Sequence, residues 1–148
     1  MIVRKAEKSD LLPLSQLFDG YRVFYKQDSD VAAAQSFLKQ RFEQDDSVTF
    51  VAELDGKLRG FTQLFPSFSS VSMQRLWILN DLFVASAARK RGVAEALMAA
   101  AKEFAVSTDS KSIILETDLD NVKAQALYDK LGYSKQTDTY HYFLPVDS

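Results

Sequence analysis

Hydrophobic and polar positions change their period several times along the chain, and each change predicts an element. At the start, Ile2 and Arg4 alternate with Val3 and Lys5, the period of a short strand. Apolar residues at 11, 14, 17, 18 and 21 then recur at helical spacing in DLLPLSQLFDGYRVFY. Ser9 is placed to cap that helix, and Pro13 is tolerated in its first turn. VAAAQSFLKQRFEQ follows as a second amphipathic helix, with Phe37, Leu38, Arg41 and Phe42 on neighbouring faces. The strongest strand signal is SVTFVAELDGKLRGFTQLFPSF, two runs rich in β-branched and aromatic residues around the turn pair Asp55-Gly56. QRLWILNDLFVA predicts a third, mostly apolar strand.

The second half alternates strand and helix. A helix from about 91 to 107 presents Val93, Leu97, Ala100, Ala101 and Phe104 on its apolar face. SIILET is a nearly uniform apolar run, as expected of an interior strand. NVKAQALYDKLG reads as helix with Gly132 as its C-cap, and YSKQTDTYHYFLP as two short strands around a turn near 136–138. The order is β-αα-βββ-α-β-α-ββ: a mixed α/β (α+β) domain of about six to seven strands and four helices. The strand–helix–strand unit from 76 to 117 predicts one parallel pair.

Composition narrows the function classes. The 148 residues suit one domain, 1–148, and 47% hydrophobic with 26% charged residues is ordinary globular usage. A net charge of −2 gives no general attraction to nucleic acid or an anionic membrane, so neither is an expected partner. With no cysteine, disulfides, thiol catalysis and thiolate metal sites are excluded; with His141 the only histidine, no metal is expected. No apolar run approaches the ~18 residues that span a bilayer, so a soluble cytoplasmic protein is expected.

One cluster stands apart, Arg89-Lys90-Arg91 followed by Gly92 at a predicted helix start. Basic side chains there oppose the helix macrodipole, so the placement costs stability. Strand, tight loop, small residues and helix N-terminus is also the arrangement that aims free backbone N–H groups at an anion. The chain has neither Gly-x-x-x-x-Gly-Lys-Ser/Thr nor Gly-x-Gly-x-x-Gly after its first strand, which excludes a P-loop and disfavours a dinucleotide fold. The following helix is mostly Ala, Val, Leu and Met, which argues against reading a nucleic-acid groove.

LNDLFVASAARKRGVAEALM resembles the central acetyl-CoA-binding motif of the Gcn5-related N-acetyltransferases (GNAT superfamily). That motif is a strand followed by Arg/Gln-x-x-Gly-x-Gly/Ala at a helix start, here Arg89-Lys90-Arg91-Gly92-Val93-Ala94. Downstream, ETDLDNVKAQALYDKLGYSK is similar to the family's strand–Asn–helix–Tyr–Gly-aromatic segment. The resemblance implies a centrally splayed sheet and acetyl-CoA as co-substrate. It implies that the backbone of Arg91, Gly92, Val93 and Ala94, with Arg89 and Lys90 beside it, holds the cofactor pyrophosphate. Phe83 and Val84 would pair their backbone with the pantetheine arm, and Asn121 would contact the same arm. Tyr128 would protonate the departing thiolate.

The chemistry suits those roles, since acyl transfer to an amine needs a neutral nucleophile, oxyanion stabilisation and a proton for the thiolate. A phenol of ordinary pKa ~10 can supply that proton. Relatives often carry Glu just before the Asp of Asp-Leu-Phe-Val; here Asn80 stands there and takes no proton. Asp81 is the preferred base because it precedes the cofactor-pairing residues by two positions, with Glu116, Asp118, or no dedicated base as alternatives. Asp81 reads equally well as a structural carboxylate; His141 within TYHYF could also serve as base, and reads as an ordinary strand residue as well.

For the acceptor, FDGYRVFYKQDSD offers Tyr21, Phe24 and Tyr25 with Asp19, Asp28 and Asp30, aromatic walls and negative charge together. That suits a cationic amine, and YRVFYK resembles the polyamine- and histone-acetylating branch of the family. The same aromatics also read as core residues. Three functions follow: an N-acetyltransferase acting on a primary amine, a catalytically silent acetyl-CoA-binding module, or a nucleic-acid-binding protein using 89–91. The family's frequent homodimers suggest that the aromatic strand 139–144 serves as an interface.

Overall fold

Strand β1, Ile2–Lys5, is the outer member of a five-stranded sheet ordered β1-β2-β3-β4-β5. The computed structural model describes residues 1–146, and the chain divides into two units, Met1–Glu116 and Thr117–Ser148. The first unit holds the whole sheet. Helices α1 (Leu11–Phe24) and α2 (Val31–Gln44) follow β1, then β2 (Val48–Leu54), β3 (Lys57–Ser69) and β4 (Gln74–Val84), then α3 (Val93–Ser107) and β5 (Ile113–Ile114).

β1 to β4 form an antiparallel meander. Between β2 and β3, Asp55 and Gly56 take φ of 53° and 75°, the left-handed pair of a tight hairpin turn. β5 pairs with β4 in parallel, as the strand–helix–strand spacing predicts. One sheet face packs Val51 and Phe61 against Leu14, Phe18 and Leu38 of α1 and α2. The opposite face packs Ala52 and Leu54 against Val93 and Leu97 of α3.

Three expectations are corrected. Ser9 is not the helix cap. A 3-10 turn, Lys8–Asp10, precedes α1, and there Glu7 and Asp10 satisfy each other's backbone N–H groups. Asp10 is fixed in that role by two 2.8 Å bonds from the Arg4 guanidinium, which also binds Glu53 at 2.7 Å. Arg4 holds the Asp10 carboxyl below its usual titration range.

β5 is an edge strand, not an interior one. Only Ile113 and Ile114 join the ladder, and Ile114 is half exposed, because no strand pairs with its outer side among the described residues. Residues 134–146 form neither of the two final strands, so the sheet has five strands instead of six or seven. Thr139 to Leu144 has a strand's composition, but composition makes a strand only where a ladder partner exists, and a lone hairpin is marginal in water.

The second unit holds α4, Val122–Lys130. Gly132 ends it at φ 91°, with its N–H on the Asp129 carbonyl and the Tyr133 N–H on that of Tyr128. That is the 5→2 and 6→1 pairing of a glycine-terminated helix.

Candidate active site

β4 organises the site in the first unit. β3 accompanies it from Ser69↔Gln74 to Gly60↔Val84, whereas β5 reaches only Trp77 and Ile78. From Leu79 to Val84 the far edge of β4 therefore has no partner strand among the described residues. The Ala85 N–H donates to the Arg59 carbonyl at 2.7 Å, so strand alternation turns the Phe83 backbone toward β3 and those of Leu82 and Val84 toward the open edge. Of the two residues expected to offer backbone there, Val84 does so. Leu82 turns its backbone to the same edge, and Phe83 turns its own to β3.

Beyond β4 a 3-10 turn, Ser86–Ala88, leads into the basic cluster. Lys90 and Gly92 both have left-handed backbones, φ 64° and 75°, a curl that converges successive N–H groups on one point. Gly92 caps α3, and the N–H groups of Gly92, Val93 and Ala94 donate to no backbone acceptor among the described residues. Space beside the Gly92 Cα is open, so its φ, not crowding, requires glycine. Lys90 and Arg91 are exposed at the rim. Arg89 is anchored instead: its Nε donates to the Val84 carbonyl at 3.2 Å, and its guanidinium lies 5.4 Å from the Phe24 ring centroid.

Gly60 also went unnoticed in the sequence. A Cβ at this position would lie 2.9 Å from Val93 Cγ1, 3.1 Å from the Phe83 carbonyl oxygen and 3.2 Å from Leu97 Cδ1. Its bareness lets the first turn of α3 sit directly on β3. A lone glycine inside a strand pattern is the signal that could have found it.

Asp81 is buried, at 6% exposure, beside an irregularity in the β3–β4 ladder. Gln63 pairs with Asp81 and Leu64 with Leu79, so Asn80 is the extra residue of a bulge. Two carboxamides hold the Asp81 carboxylate: Gln63 Nε2 donates to Oδ2 at 2.9 Å and Asn80 Nδ2 to Oδ1 at 3.0 Å. The Thr62 hydroxyl donates to the Asp81 carbonyl at 2.8 Å. No Lys, Arg or His forms an ion pair with Asp81 among the described residues.

The acceptor-side residues separate into two groups. Tyr21 is half-buried in an aromatic cluster, its ring 5.5 Å from Phe61, 5.8 Å from Phe83 and 5.2 Å from Tyr25. Phe24 and Tyr25 are exposed beside it. Asp19 accepts the Asp30 N–H and the Ser29 hydroxyl, both at 2.7 Å, and those bonds hold its carboxyl below its ordinary range. Asp30 in turn caps α2 through the Ala33 N–H at 3.0 Å. Asp19 and Asp30 thus build the α1–α2 connection, while the exposed Asp28 carboxylate has no hydrogen bond or ion pair among the described residues.

In the second unit Asn121 caps α4, its Oδ1 accepting the Ala124 N–H at 3.2 Å, which leaves its Nδ2 for another partner. The Tyr128 ring lies 5.9 Å from that of Tyr133. Burial, and secondarily Tyr128, push the Tyr133 phenol up from its usual value. The Asp118 carbonyl accepts from the Asn121 N–H and from Gln125 Nε2. Asp118, Glu116 and His141 are all exposed, Glu116 at the end of the first unit.

The first unit thus holds an unpaired strand edge on β4, a buried carboxylate on the same strand and free N–H groups at the start of the next helix. The family model described as "Acetyltransferase (GNAT) family" matches residues 12–133. The chain is 47% identical over 146 residues to the Bacillus subtilis "Uncharacterized N-acetyltransferase YhfO", covering 99% of this chain and 98% of that one. It is 35% identical over 113 residues to a Haemophilus influenzae "Probable acetyltransferase", covering 76% and 77% of the two chains. A crystal structure of a probable acetyltransferase superposes with a TM-score of 0.95 at 37% identity, over 100% of this chain and 99% of that one. AAC(6')-Iy bound to a CoA-containing bisubstrate analog shares the fold, with a TM-score of 0.80 at 20% identity over 97% of each chain. The chain belongs to the GNAT family of acetyltransferases, and it is an acetyl-CoA-dependent N-acetyltransferase with the mixed α/β fold of that family.

Proposed function

We propose that the enzyme moves the acetyl group of acetyl-CoA to the primary amine of a small cationic molecule or a lysine-like side chain, by direct attack. The observation that carries this reading is the open edge of β4, which joins a buried carboxylate without a cationic partner at Asp81 to the free N–H groups at Gly92, Val93 and Ala94. Those N–H groups, with Lys90 and Arg91 beside them, would bind the pyrophosphate, and Leu82 and Val84 would pair with the pantetheine arm. Asn121 Nδ2 would contact the same arm.

Asp81 draws a cationic amine to the site and takes its proton, directly or through water. The neutral nitrogen attacks the thioester carbonyl, the C–N bond forms, and collapse of the oxyanion breaks the C–S bond. Tyr128 protonates the departing CoA thiolate, and the proton that the acylated nitrogen releases restores the phenol through solvent. Tyr25 and Asp28, exposed at the end of α1, supply an aromatic face and a negative charge to the acceptor, with Tyr21 supporting Tyr25 from beneath.

One catalytic domain, residues 1–148, carries this activity in the cytoplasm. Tyr140, Tyr142 and Phe143, each at least 90% exposed, support a homodimer contact, for which light scattering is the test.

An acceptor screen across polyamines, amino acids, aminoglycosides and lysine peptides, read as released CoA thiol, tests the substrate class. Turnover confined to uncharged acceptors would refute it. Tyr128→Phe should lower kcat and leave acetyl-CoA affinity intact, and an unchanged kcat would remove Tyr128 from the acid role.

A further inference from the structure

Gln63 is buried in a way that its packing does not explain. It is 1% exposed, on the sheet face that packs against α1 and α2, and it lines a small cavity of mixed polarity with Leu38, Phe42, Thr49, Lys5 and Arg41. Its Nε2 donates to Asp81, but its Oε1, equally shielded, accepts from no donor among the described residues. Burying a polar amide is favourable only where its groups find partners, and the protein partner that the Gln63 amide finds is Asp81. The one bond that Gln63 makes therefore identifies its role, and that bond ends on Asp81.

The type of donor matters as much as its position. An Arg or Lys here would neutralise the Asp81 carboxylate and weaken it as a proton acceptor. A carboxamide fixes the plane of the carboxylate and leaves its charge for an incoming cation. Asn80 does the same from the other oxygen at 3.0 Å, as the exposed residue of the bulge.

We infer that Gln63 is a positioning residue for the acetyl transfer: it acts through Asp81, orienting the carboxylate so that one oxygen faces the acceptor amine. This inference rests on the role proposed above for Asp81. Gln63→Leu should fold and bind acetyl-CoA normally, with kcat about ten- to a hundredfold lower. Gln63→Met, closer in length, replaces it if the leucine variant does not fold. Gln63→Glu should not restore kcat, because it sets a second carboxylate against Asp81.

The discriminating measurement is the double variant. In an Asp81→Asn background, Gln63→Leu should cause no further loss of kcat, because both changes remove one function. A folded Gln63→Leu enzyme with wild-type kcat overturns the inference, and so do losses that multiply in full. If Asp81→Asn alone keeps wild-type turnover, the reading of Asp81 as base falls. The clamp is then judged by NMR: the Gln63 side-chain amide signals should move on Asp81→Asn, and unmoved signals overturn it.

Discussion

Gly60→Ala places one methyl group where the structure has no room for it. The new Cβ would stand 2.9 Å from Val93 Cγ1 and 3.1 Å from the Phe83 carbonyl oxygen, whereas ordinary contact begins at 3.4 Å. Neither neighbour yields easily. Valine is stiff at χ1, and the Phe83 backbone is held in the β3–β4 ladder. Overpacking of this kind costs about 1–3 kcal/mol, and removing a glycine from the unfolded chain returns about 0.4–1 kcal/mol. The balance is a net loss of about 1–2 kcal/mol, or roughly 2–8 °C in Tm for a chain of this size. The strain falls on Val93, first residue of α3 and bearer of one of the free N–H groups, so the acetyl-CoA Kd should rise about tenfold with the melting shift. Calorimetric melting and isothermal titration measure the two. Gly20→Ala is the control: its Cβ would meet Phe83 at 3.8 Å, an ordinary contact, inside α1. It should raise stability by up to about 1 kcal/mol through helix propensity. A Gly60→Ala protein with unchanged Tm and Kd would show that α3 does not depend on this close approach.

Gly92→Ala meets no obstacle but must hold φ near 75°, which costs a non-glycine residue about 1–2 kcal/mol. It should weaken acetyl-CoA binding in titration calorimetry while leaving the α3 core intact by circular dichroism. Asp19→Asn tests the α1–α2 connection. The folded-state carboxyl of Asp19 titrates below its ordinary 3.8, so its contribution is present above that pH and is lost as the pH falls through the folded value. Urea midpoints from pH 7 to pH 3 should fall less steeply in the variant than in the wild type, and parallel curves would show that the two bonds to Asp19 are not formed in solution.

What the sequence made legible was local. The Asp55-Gly56 turn, the parallel crossover and the glycine stop at Gly132 each follow from a few adjacent residues and a steric rule. What it hid depended on pairing across the sheet. Ser9 looks like a cap in isolation, and Asp10 displaces it because Arg4, held also by Glu53 from β2, fixes Asp10 in place. SIILET has the same apolar run whether it lies in the middle of a sheet or at its edge, and only the number of neighbouring strands separates the two. The acids at 19, 28 and 30 look alike as letters, yet two of them serve the backbone.

Asn80 shows most about how this site is made. As a letter it reads as a lost base, since its amide takes no proton. In the fold it is the inserted residue of a bulge, and bulges increase local bend and twist. The parallel ladder to β5 ends at Ile78, just before the bulge begins, which is where a strand turned by an extra residue should part from a straight neighbour. The same insertion settles which face Asp81 occupies, because a slip of one residue would exchange the positions of Asn80 and Asp81 between the two sides of the sheet. The open stretch of the β4 edge and the Asp81 carboxylate held by Gln63 thus lie on either side of this one insertion. Asn80 is better understood as the residue that shapes the site than as a catalyst gone missing.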